Sequence, residues 1–147
     1  MSLNEEVELL RNIPMFANIE PSKLKLLAFT SERMAFKDGD ILFRQGEQGD
    51  SAYVIIGGEA DVIVDTPKGP LTVAKLKRND IVGEIAILCD VPRTATVKAS
   101  SKLEAMVIAK DLFFRLIMEF PQMAVEIMRE LARRLDATNR KLTAKSA

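Results

Sequence analysis

The chain has no histidine, no tryptophan, one cysteine, one tyrosine and a formal net charge of zero. Without histidine it lacks the usual general base of Ser-His-Asp hydrolases and the commonest metal ligand, which excludes both those hydrolases and histidine-based metalloenzymes. A lone Cys89 can close no internal disulfide and build no cysteine metal cluster. The 21 basic and 21 acidic residues cancel, so no global field draws the protein to nucleic acid or an anionic membrane, and a charged partner must be met locally. Apolar runs such as Ile85 to Leu88 and Ala105 to Ala109 fall far short of the roughly 20 residues that span a bilayer, so no membrane insertion is expected. The acidic N-terminus, MSLNEEVELLRN, carries no signal pattern, and the expected location is cytoplasmic.

What is present is enough for one core: 147 residues, 48% of them hydrophobic, read as a single domain over 1–147. Apolar spacing predicts two short helices over 5–12 and 21–29 within an N-terminal part, 1–32. From 33 to 109 the texture changes to β-favouring runs at Met34–Phe36, Ile41–Phe43, Ala52–Ile56, Ala60–Val64, Leu71–Leu76, Ala95–Ala99 and Leu103–Ile108. Turn clusters separate them (KDGD, GEQGD, GG, TPKGP, KRND), a spacing that predicts a sandwich or small barrel. Leu71, Val73 and Leu76 are expected on the inward face of a hairpin.

Helical texture returns over 110–147, first in DLFFRLIM and then, after Phe120-Pro121, from about 122 to 142. In this last segment Ala124, Met128, Leu131, Leu135, Thr138 and Leu142 recur at alternating spacings of four and three. Such a seam either pairs two helices or lays an amphipathic helix on its own barrel. Arg129, Arg133, Arg134, Arg140, Lys141 and Lys145 outnumber Glu130 and Asp136 there, which reads as a solvated face complementing a helix C-terminus.

The stretch richest in chemistry is VGEIAILCDVPRTATVKAS, residues 82–100. Gly83 permits a strained backbone, and the amides of Glu84, Ile85 and Ala86 at a helix start suit an anion. Arg93 beside the rigid Pro92 adds a planar fork of donors, while the Glu84 carboxylate suits a sugar hydroxyl alongside. The bland alternative is a surface ion pair between Glu84 and Arg93, worth less than about 1 kcal/mol. Cys89 reads either as a small buried hydrophobe or as a redox-sensitive thiol.

The run GEIAILCDVPRTATV closely resembles the phosphate-binding cassette of the cyclic nucleotide-binding domain family, with its Gly-Glu-[Leu/Ile]-Ala-Leu and Pro-Arg-[Ala/Ser/Thr]-Ala-[Thr/Val] pattern. IPMFANIEPSKLKLLA resembles the family's N-terminal helices, DGDILFRQGEQGDSAYVIIGGEADV its early strands, and ELARRLDATNRKL its closing helix. The resemblance implies a mainly β fold: a double-stranded β-helix (jelly-roll) barrel with N-terminal helices, a cassette over 82–97 and a long C-terminal lid helix. It implies a noncatalytic regulatory module with no cofactor, binding cAMP or cGMP and signalling by movement of the C-terminal helix. Gly83, Glu84, Ile85, Ala86, Arg93, Thr94 and Ala95 would bind the ligand. Glu84 would accept from the ribose 2′-hydroxyl, Arg93 would pair with the cyclic phosphate, and backbone amides near Ala86 and Ala95 would complete the cradle.

Thr94 is the residue type that cyclic GMP binders of the family often carry. RRLDATNRK resembles the dimer helix of the family's bacterial catabolite activators, which would set Thr138 and Asn139 at the base and favour cyclic AMP. It also implies a homodimer through residues 124–142. No helix-turn-helix follows the long helix before Ala147, so no direct DNA binding is expected. With no tryptophan, and with Tyr53 in an early strand, the lid is expected to use aliphatic or Arg groups rather than an aromatic cap. The alternative is a nucleotide-independent interaction or dimerisation domain of the same fold.

Overall fold

The computed structural model describes residues 2–146, and the side chains of these apart from Met15, Thr138 and 141–146. Helix α1 (Leu3–Arg11) begins at Ser2, whose hydroxyl accepts from the Glu5 amide at 3.2 Å. Its first-turn acids and terminal Arg11 match the helix dipole. A single 3₁₀ turn, Pro14–Phe16, leads to α2 (Pro21–Thr30), where Pro21 occupies the first helical position and loses no hydrogen bond. An ion pair between Arg33 and the buried Glu6 ties α1 to the first strand.

Strands β1 (Glu32–Phe36), β2 (Ile41–Phe43), β3 (Ser51–Gly57), β4 (Ala60–Thr66), β5 (Gly69–Leu76), β6 (Ile81–Val82), β7 (Thr96–Ala99) and β8 (Leu103–Ala109) follow. Among the described residues they form two four-stranded antiparallel sheets, ordered β1-β8-β3-β6 and β2-β7-β4-β5. This is the mainly β fold with flanking helices that the sequence predicts. The crossovers between non-consecutive strands place the two sheets face to face around a barrel interior.

β3 explains how one barrel serves two cores. Its residues from Ser51 to Ile56 are all buried, and the two-residue strand period sends alternate side chains to opposite faces. Tyr53 and Ile55 point into the barrel with Phe43, Val97, Leu103 and Ala105. Ala52, Val54 and Ile56 instead meet the helices through Leu10, Leu24, Phe113 and Met123. Burying such side chains contributes about 1.5–3 kcal/mol each, so the helices are joined to the barrel by its own strand.

Several details differ from the sequence expectations, among them the short β6, which no expected run covers. Of the expected inward trio only Leu76 is buried; Leu71 and Val73 are 56% and 47% exposed. A bulge between Val62 and Ile63 leaves Val73 as the extra residue, and Leu71 lies toward the tip of a hairpin whose outer strand is a sheet edge. Cys89 is exposed rather than buried, because it ends a one-and-a-half-turn helix, α3 (Glu84–Cys89), at the surface. Finally, α4 (Lys110–Glu119) leads into α5 (Pro121–Ser146), which lies on the barrel through Met123, Ile127 and the partly buried Leu131. The seam residues Met128 and Leu135 face away, 61% and 63% exposed.

Candidate functional site

The cassette is shaped by residues with unusual backbone freedom. Gly83 holds φ +91° just before α3, a conformation that L side chains rarely adopt, and Asp90 ends the helix at φ 52°. The first amides of α3 have no carbonyl one turn back to bond, so they remain donors for something outside the helix. Beyond α3, the Arg93 amide donates to the Glu47 carbonyl at 2.7 Å, and the Arg93 carbonyl accepts from the Gly46 amide at 2.8 Å. The loop carrying Arg93 is thereby clamped against the turn after β2.

Arg93 is 4% exposed, an unusual position for a guanidinium. Its Nη1 donates to the Gly83 carbonyl at 3.1 Å and its Nη2 to the Ser51 carbonyl at 2.8 Å. Its Nε is buried and has no partner among the described residues. Burial pulls the guanidinium below its ordinary pKa, while Tyr53, Asp50, Glu47 and Glu84 act in the opposite sense. Arginine stays protonated in proteins, so the site carries a desolvated cation whose five N–H groups make two side-chain hydrogen bonds and whose Nε makes none among the described residues, and an anion is the natural complement. Two glycines make room for it. A Cβ on Gly83 would sit 2.6 Å from Nη1, and one on Gly49 would sit 2.6 Å from the Ala86 Cβ and 3.0 Å from Cζ.

In front of Arg93 lies a cavity of about 340 Å³, within the range of small-molecule sites. Phe43, Val62, Leu76, Val82 and Val97 line it on the barrel side, and Gly83, Glu84, Ile85, Ala86, Arg93, Thr94 and Ala95 line it on the cassette side. Glu130 and Arg134 reach it from α5. All seven cassette residues singled out in the sequence therefore meet at one cavity.

Of the two residues expected from the closing helix, the one whose side chain is described does not join them. Asn139 is exposed on α5 and is absent from the cavity lining, and the Thr138 side chain lies outside the described residues. From α5 comes Arg134, whose Nη1 donates to Glu84 Oε1 at 2.7 Å and whose Nε approaches Glu130 at 3.5 Å. Glu84 is 3% exposed, so the surface ion pair between Glu84 and Arg93 does not form; each has a different partner and both are buried. Sequence reading grouped Arg134 with the solvated basic run. The available signal was the expectation that aliphatic or Arg groups serve in place of an aromatic cap, together with the one-turn spacing of Arg134 behind Glu130.

Residues 33–120 match the family model of the cyclic nucleotide-binding domain. The chain belongs to the cyclic nucleotide-binding domain family. A cAMP-dependent protein kinase regulatory subunit of Blastocladiella emersonii is 35% identical over 109 residues, 74% of this chain and 27% of that protein. A CRP-like cAMP-activated global transcriptional regulator of Mycobacterium tuberculosis is 29% identical over 136 residues, 92% of this chain and 61% of that protein. The chain thus spans about a quarter of the first relative and under two thirds of the second. Among solved structures, the Thermus thermophilus catabolite activator protein superposes with a TM-score of 0.81 at 25% identity, over 90% of this chain and 63% of that one. Among the described residues, no helix is long and apolar enough to cross a membrane.

Proposed function

We propose that this chain is a noncatalytic cytoplasmic module that binds a cyclic mononucleotide and reports it through the position of α5. The observation that carries this reading is the buried Arg93 in the lining of the cavity, its Nε without a partner among the described residues. Nε and the first-turn amides of α3 take the ring phosphate, and Glu84 takes the ribose hydroxyl. Both relatives are named for cyclic AMP, which makes it the favoured ligand, with cyclic GMP the second. Thr94 lines the cavity and is the residue that would serve a guanine. No DNA contact is assigned to this chain itself.

The signal follows from Arg134. It holds Glu84 at 2.7 Å, so a sugar that claims this carboxylate must share it with α5 or displace α5. A ligand moves such an equilibrium only by its different affinity for the two positions of the helix, and the contest over Glu84 supplies that difference. Calorimetric titration with cyclic AMP and cyclic GMP in parallel tests the reading: binding of either supports it, and no heat or saturation with both rejects it.

The exposed Met128 and Leu135 favour a second, compatible role, pairing of two copies along α5 as the seam implies. Sedimentation should show a wild-type dimer that Leu135→Asp converts to monomer; a wild-type monomer at high concentration rejects pairing.

A further inference from the structure

Phe43 lies at a bulge. Ile41 pairs with Lys98 and Phe43 with Val97, so two steps on β2 span one on β7. This irregularity lets the consecutive residues Leu42 and Phe43 both turn into the barrel core instead of alternating. The Phe43 ring is braced by Tyr53, centroids 5.7 Å apart and planes at 43°, and the Arg93 Cζ lies 4.1 Å from the Phe43 centroid.

Resting on the nucleotide-binding reading, we infer that Phe43 is the positioning residue of the anion site, stacking on the Arg93 guanidinium and fixing its plane so that Nε is left for the ligand. Two backbone carbonyls hold Nη1 and Nη2, yet two hydrogen bonds from one edge still allow the plane to rock about that edge. The ring face removes that freedom and attracts the cation electrostatically. An aliphatic residue would fill the same volume without orienting the charge. The inference therefore separates packing from orientation at a single position.

Phe43→Leu should weaken cyclic AMP binding roughly tenfold, between the scale of an exposed and of a fully desolvated cation–π contact, while Phe43→Tyr, which keeps the ring, stays within about threefold of wild type. In an Arg93→Lys background, which lacks the planar fork, Phe43→Leu should cost less than about twofold. Equal losses in the two backgrounds, or unchanged affinity in Phe43→Leu, overturn the inference while leaving nucleotide binding intact. A ligand-free readout covers failure of the functional reading itself. The ring current should displace the Arg93 Nε–H proton resonance; Phe43→Leu should return it toward the usual range and Phe43→Tyr should not. A resonance unmoved by Phe43→Leu rejects the stacking role whether or not any nucleotide binds.

Discussion

The two walls of the cavity are held to different degrees. On the cassette side, Arg93 is fixed by two carbonyls and an aromatic ring, its backbone by Gly46 and Glu47, and it is 4% exposed. On the α5 side, Met123 and Ile127 are buried, but Ala132 to Asp136 are exposed along the helix, and Arg134 reaches back to Glu84 with a side chain 43% exposed. One wall is braced by backbone and side-chain contacts alike. The other is attached near its start and, among the described residues, reaches the site through the ion pair of Arg134 with Glu84. Such an arrangement suits a binder whose rigid half selects the ligand and whose loose half moves in response.

The contrast predicts a graded series of effects. Arg93→Ala should be the most damaging, lowering cyclic AMP affinity ten- to a hundredfold by calorimetry, the scale of losing hydrogen bonds to a charged group. Gly83→Ala should follow. Its backbone holds φ +91° and the added Cβ would lie 2.6 Å from Nη1, so strain and a displaced guanidinium combine. We expect about 1–3 kcal/mol of lost stability in denaturant unfolding and several-fold weaker binding. If Gly83→Ala binds as tightly as wild type, the cassette wall is less rigid than its geometry indicates.

On the loose side the effects shrink. Arg134→Ala leaves the Glu84 carboxylate buried without its partner, but the arginine's own exposure screens the pair. A loss of about 1 kcal/mol is expected, diminishing in high salt, with α5 amides near 134 exchanging faster. Unchanged exchange would show that this ion pair does not restrain the helix. Smallest of all, Thr94→Ala should lower cyclic GMP affinity a few-fold and leave cyclic AMP almost unaltered, the value of one neutral hydrogen bond. An equal change for both ligands would remove Thr94 from base selection.

The sequence revealed the rigid wall far better than the loose one, for a physical reason. Strand limits were legible because glycine and aspartate turns punctuate them, and Gly83, Glu84 and Arg93 were legible because they lie within one short motif. What Arg93 touches was not, since Ser51 is 42 positions away. Arg134 and Glu84, 50 positions apart, meet only because the barrel brings α5 across the cassette. Leu71 and Val73 were misplaced because a bulge resets the two-residue period, and nothing local marks an inserted residue. The spacing of the helical seam did not show that Met123 and Ile127 bind the barrel and leave Met128 and Leu135 outside.

The most direct test is a crystal structure of the protein grown with cyclic AMP. It should place a phosphate oxygen within hydrogen-bond distance of Arg93 Nε, the ribose hydroxyl on Glu84, and Arg134 shifted from its present contact. A cavity empty at saturating ligand, or a nucleotide bound elsewhere with Arg93 Nε still unpaired, would contradict the account.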